Sequence, residues 1–447
     1  MVVPEASPDV ACCAACALQG TPGAPLRPTI PRGDDRRVTF GGLMTAAALL
    51  ALAAATAAHP LATGQATWLS LHLALAAAAG TAVASVMPFF TAALARVAPA
   101  RPITRIAAIA LVAGGALAIA GGVAGGVRPL AVAGGTAYVV GLLLTAANAF
   151  LPLRSTLGPR LRAVPLAYGA ALGCVLAGAT LATAMLAGWQ PIVEGWAAFK
   201  PAHAWLNVFG FLSVVIAATL IHLAPTVVGA RIRARRSGSI ALIGLALGAP
   251  VIAVGFASGS DGLARVGALL ELVGAAALVT HGIGVRRDRG RWTGDAAWHR
   301  FTGLSLLSAP VWFLVAVVFA TGPILRSGAT PSAWSITQVA APLVVGWIAQ
   351  VLVGSWTHLV PAIGPGDQGI HARQRRRLGQ GATPRWVAWN GGLALVVVGR
   401  VIGSTEIGAI GAAAVAGSLL AALGLLLASI VIDPYVAPKA PISPRRS

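Results

Sequence analysis

The side chains best suited to ligate a metal or carry a proton in this 447-residue sequence are eight histidines, four cysteines and twelve acidic residues. They form no compact motif. Cys12, Cys13 and Cys16 make a thiol cluster of a kind that binds soft metals, but no second pair completes four ligands. The cluster therefore reads as incidental to an N-terminal tail, and Cys174 as a small buried residue. Glu271 lies in the apolar run LLELVG. A carboxyl group there is costly and by default functional, with a hydrogen bond to a neighbouring helix as the structural alternative.

The elements that position these groups are membrane spans. The sequence is 57% hydrophobic and only 10% charged, with a mean hydropathy of +0.82, which excludes an ordinary soluble domain. Twelve apolar runs are long enough to cross a bilayer, among them 67–95, 201–228, 262–284, 332–361 and 385–402. They define a twelve-helix membrane domain over 39–433, between a disordered cytoplasmic tail at 1–38 and a cytoplasmic tail at 434–447. The net charge of +20 is a topology signal before it is anything else. With both termini cytoplasmic, all but Arg128, Lys200, Arg265, Arg326 and Arg400 of the 32 basic residues fall in inner segments. That distribution places the chain in the cytoplasmic membrane and argues against nucleic acid as a partner, which requires a continuous basic stripe.

The spans also repeat. Trp68–Pro88, Trp205–Pro225 and Ala341–Pro361 align, the first two through a Trp-Leu pair and the last two through the endings His222-Leu-Ala-Pro225 and His358-Leu-Val-Pro361. Their prolines are 137 and 136 residues apart. Three units of that length, each of four helices, account for almost the whole chain.

On this topology His59, His72 and His203 lie at or just below the outer surface, and His222, His281, His299, His358 and His371 near or beyond the inner one. Imidazoles from different helices are the usual means by which all-helical proteins ligate heme iron or copper. The outer layer offers His72 and His203 as ligands, with Lys200 and Arg400 as counter-ions for an acidic group. For His59, His299 and His371 a solvated position at a helix end explains the residue. His222 and His358 each sit beside a proline, where bonding to the carbonyls it frees is the plainer role.

Twelve helices, a threefold repeat of four, and histidines toward the outer face on helices two and six resemble the heme-copper oxidase superfamily, subunit I and its nitric oxide reductase relatives. AHAWLNVFGFLSVVIAATLIHLAPT (202–226) and WIAQVLVGSWTHLVP (347–361) are further similar to the membrane domain found ahead of copper-containing nitrite reductase or multicopper oxidase modules in actinobacteria. The resemblance implies an all-α bundle with pseudo-threefold symmetry. It further implies a low-spin heme ligand at His72, a copper ligand near His203, and a propionate partner at Arg400. It departs from the superfamily in the outer half of helix ten, SAWSITQVAAPLVV, and in helix seven, SIALIGLALGAPVIAVGF, neither of which has a histidine. The implied activity is electron transfer or metal handling with heme or copper, without an oxygen-reducing binuclear centre. Two alternatives stand beside it: a small-solute or ion permease working past Glu271, Gln338 and Gln350, and a metal-free scaffold for a redox partner.

Overall fold

A computed structural model describes residues 32–58, 64–95, 97–155, 163–289, 299–364 and 366–432, and among these every regular element is helical. Cys12, Cys13, Cys16, His59 and the C-terminal tail from 433 lie outside the described residues. Eleven described helices are long and apolar enough to cross a membrane. They are α1 (Asp34–Ala57), α2 (Thr67–Ala95), α3 (Pro102–Ala124), α4 (Arg128–Leu153), α5 (Ala163–Ala187), α6 (Trp196–Val228), α7 (Arg236–Ser258), α8 (Asp261–Arg287), α9 (Arg300–Ser327), α10 (Ala341–Ile363) and, for a reason given next, α12 (Thr405–Val431). The intervening long helix, α11 (Ala382–Ile402), is interrupted by Arg385, Asn390 and Arg400 and does not qualify by composition. Large apolar side chains such as Ile103, Leu166, Val401 and Leu420 face outward. In water such a surface is unstable; in lipid it is the solvated one. The chain is a multi-pass helical membrane protein.

The interior belongs to α2, α6 and α10. Their apolar stretches are 67%, 78% and 72% buried, whereas none of the other eight exceeds 56%. Each contains a π-helical stretch: Leu73–Ala79, Trp205–Ser213 and Ala341–Ala349. No other described helix has one. In α6 and α10 the stretch starts 20 and ends 12 residues before the proline (Pro225, Pro361); in α2 it lies 15 to 9 residues before Pro88. A π turn bonds one residue farther along the chain, so it leaves carbonyls that need other donors. Ser213 Oγ donates to Val208 O at 2.9 Å and accepts from Trp347 Nε1 at 3.2 Å, joining α6 to α10. Tyr138 of α4 donates to Ala76 O, inside the α2 stretch, at 3.3 Å.

Around this interior, α3–α4, α7–α8 and α11–α12 form hairpins zipped by glycine. A Cβ on Gly115 would lie 2.7 Å from Gly134 O, one on Gly244 2.8 Å from Leu270 O, and one on Gly411 2.4 Å from Gly392 O. Membrane helices have little hydrophobic drive toward one another, so close backbone approach supplies the packing. Gly121, Gly122, Gly125 and Gly126 have the small-xxx-small spacing that suits this role. Only Gly122 meets the partner helix, at Ala131; Gly121 faces open space and Gly126 turns the chain at φ +68°. The same interface continues along the pair through Gly115, Gly134 and Gly141.

Three boundaries differ from the sequence reading. The first helix begins at Arg32, inside the expected tail, because Asp34 and Asp35 favour its N-terminus and Asp35 pairs with buried Arg105 of α3. Helix six begins at Trp196 rather than 201. Helix ten begins at Ala341 rather than 332, since Pro331–Ala333 and Ile336–Gln338 form short 3₁₀ turns, the second capped by Ser335. The expected long basic loop at 364–384 contains an amphipathic helix, Gln368–Gly379, capped by Asp367 and burying Ile370, Gln374 and Leu378.

Gly115→Val should lower stability in detergent by about 1–3 kcal/mol, the usual cost of overpacking, while Gly121→Ala should be neutral or slightly stabilising. Thermal unfolding followed by circular dichroism checks the pair, and equal losses would contradict the packing described.

Candidate functional site

The early start of α6 decides where His203 stands. Seven residues below Trp196, its half-buried ring reaches across to α5, where Nδ1 lies 2.9 Å from Gly178 O. Gly178 permits this approach: a Cβ there would collide with Asn207, whose Nδ2 donates to His203 O at 2.7 Å. On α2, His72 Nδ1 lies 2.8 Å from Trp68 O, one helical turn earlier, and the two rings stack with centroids 4.0 Å apart. A carbonyl oxygen can only accept, so His72 Nδ1 carries the proton and its Nε2 is the remaining lone pair. His203 Nδ1 stands between Gly178 O at 2.9 Å and the Asn207 amide nitrogen at 3.0 Å, donating to the first in one tautomer and accepting from the second in the other. Neither Nε2 has a hydrogen-bond partner among the described residues.

The two histidines line one cavity of about 700 Å³, bounded by α2, α4, α5, α6 and the 3₁₀ turns before α10. Its wall is mostly apolar, with Trp68, Trp196 and Trp334 around it and Tyr138, Asn207 and Lys200 as the main polar members. A backbone donation that orients the ring and leaves the distal nitrogen bare is the arrangement that supports metal-ligating imidazoles. Imidazole nitrogens so placed would be able to ligate heme iron or copper, were such a group held there. A site of three or more His, Cys, Asp or Glu ligands is not formed among the described residues.

The other residues singled out from sequence are distributed as follows. Arg400 does not line the cavity; its guanidinium donates to Thr337 O at 2.8 Å, and Thr337 does line it. Arg400 thus fixes the strap over the cavity, and Lys200 is the cation beside the histidines. His222 on α6 and His358 on α10 are half-buried near the opposite end, and His281 on α8 is buried with neither ring nitrogen hydrogen-bonded among the described residues. His371 Nε2 lies 3.2 Å from Gly364 O in the connection between α10 and α11, and the side chain of His299 is outside the described residues. Asn148 makes the interhelical bond expected of it, to Thr104 on α3.

The polar groups of the permease reading are in three separate places, and none of them lines the cavity. Glu271 is fully buried against Gly248 of α7, with both carboxyl oxygens unpartnered among the described residues. Gln338 is exposed in a 3₁₀ turn. Gln350 is tied into a network across α9, α10 and α11, with Nε2 bonded to Ser308 Oγ at 2.8 Å and Asn390 Oδ1 at 3.2 Å, and with Trp312 and Trp386 donating to the same two acceptors.

Sequence reading missed the aromatic wall. Trp205 is fully buried and stacks on Phe209, with Trp334 at 5.7 Å. Trp196 lines the cavity with its ring 6.1 Å from His203. The spacing Trp68-x₃-His72 is the one local signal that could have suggested a stacked pair. No family model matches the chain, and no curated protein matches it.

Replacing Glu271 by Met removes a buried polar group without a partner. Stability should be unchanged or rise by about 1–3 kcal/mol; a fall of that size in a thermal unfolding assay would show that the carboxyl is bound to something essential.

Proposed function

We propose that this membrane protein is a degenerate relative of heme-copper oxidase subunit I that holds a heme or a copper ion between α2 and α6 and serves electron transfer or metal handling. The observation that carries the reading is the pair His72 and His203: two rings on different helices, each held through Nδ1 by neighbouring polar groups, lining one mostly apolar cavity. The interior position of α2, α6 and α10 and their π stretches support the threefold arrangement of four-helix units that the sequence repeat suggests.

Each residue has a stated part. His72 and His203 would supply the ligating nitrogens, and Lys200 a positive charge for an acidic substituent of the cofactor. Trp68, Trp196 and Trp334 exclude water from the slot. The bound group would supply one-electron chemistry, while the protein supplies ligands, a dry environment and electrostatics. An oxygen-reducing binuclear centre is not part of the proposal, because α7 and the outer half of helix ten contribute no histidine. The natural partner is a copper-containing nitrite reductase or multicopper oxidase at the outer face, with the inner termini in the cytoplasm.

The test is the visible spectrum and metal content of the full chain purified in detergent from its native membrane. We expect a Soret band or stoichiometric copper that is lost in His72→Ala and lost or shifted in His203→Ala, with both variants still helical by circular dichroism. Folded protein free of heme and copper, able to take up neither on reconstitution, would leave the metal-free scaffold as the better reading.

A further inference from the structure

The connection between α6 and α7 meets the end of α8 in a patch of unusual charge. Arg235 Nη2 donates to Asp288 Oδ2 at 2.5 Å and to Gly284 O at 3.3 Å, and Arg233 lies 3.8 Å from the same carboxylate. These contacts hold the two segments together and neutralise Asp288. Around them Arg231, Arg236, Arg286, Arg287 and Arg289 are exposed, and none has an acidic partner among the described residues. Arginines in the last turn of a helix complement its C-terminal dipole, which accounts for Arg286 and Arg287 but not for the other three. Ile232, in the middle of the basic connection, is 55% exposed.

We propose that this patch binds the headgroups of anionic phospholipids. Because α7 begins at Arg236 and α8 ends at Arg287, the guanidiniums stand where the spans leave the hydrocarbon, at the level of lipid phosphates. Ile232 adds an apolar contact at the same depth, a feature that a nucleic-acid or acidic-protein surface does not need. The positive-inside bias alone requires basic residues on this side; it does not require five arginines without an acidic partner among the described residues, on two segments joined at Asp288, together with an exposed isoleucine. The proposal is independent of the cofactor reading.

The experiment is native mass spectrometry of the full chain in detergent, titrated with phosphatidylglycerol or phosphatidylcholine. The wild type should retain phosphatidylglycerol preferentially, and the preference should fall with added salt. The triple variant Arg231→Gln/Arg236→Gln/Arg289→Gln should bind it more weakly by about tenfold or more, whereas the corresponding Arg→Lys variant should keep most of the affinity. Equal retention of the two lipids, or a salt-insensitive preference, overturns the proposal even if the Gln variant fails to fold. Displacement of the lipid by millimolar inorganic phosphate, or tighter binding of polyglutamate, overturns it in favour of a soluble anion or an acidic protein.

Discussion

In a bilayer no water reaches the backbone, so every amide and carbonyl in a spanning segment must find its partner within the protein. The three interior helices depart from the α-helical ladder, and in each π stretch a side chain reaches a carbonyl: Tyr138 to Ala76 in α2, Ser213 to Val208 in α6 and Trp389 to Val345 in α10. Trp347 then closes on Ser213, so that the irregular segments of α6 and α10 are bonded to each other rather than to lipid. The glycine-zipped hairpins and the lipid-facing helices are arranged around this interior.

The cavity follows from the same constraint. A π turn widens the helix and shifts the face presented by the residues on either side of it. His72 immediately precedes the π stretch of α2, and His203 lies two residues before that of α6. The rings leave their helices at the points where helical registry changes. The Trp68 carbonyl accepts from His72 Nδ1, Gly178 O and the Asn207 amide hold His203 Nδ1, and tryptophans line the space between. The strap before α10, fixed by Arg400 to Thr337 and by Asp261 to the amide of Ala329, completes the wall.

Much of this was legible in the sequence, because lipid imposes simple patterns. Apolar length placed most of the spans to within about six residues, missing the start of α10 by nine and counting α11 as a span, and the proline-anchored alignment of 68–88, 205–225 and 341–361 selected the three helices that turn out to be interior. His72 and His203 were chosen for their depth and their helices, and they line a common cavity. What was not legible depends on tertiary contact. Which glycines zip a hairpin depends on helix rotation, so Gly121 and Gly122 look alike in sequence and differ in the fold. The burial of Trp205 and the separation of Gln338 from Gln350 depend on where a helix starts, and 3₁₀ turns at 331–338 leave no periodicity to read. The network of Gln350, Ser308 and Asn390 joins residues up to 42 positions apart whose partnership no local pattern announces.

The central claim is that His72 and His203 face each other across one space. It is tested by placing the only cysteines of the chain at those two positions, in a background from which Cys12, Cys13, Cys16 and Cys174 have been removed, and treating membranes with a short bifunctional thiol reagent. An intramolecular link between the two positions, absent when the second cysteine is moved to Gln338, is the result the account predicts. Cysteines that each react singly but never with one another would contradict it.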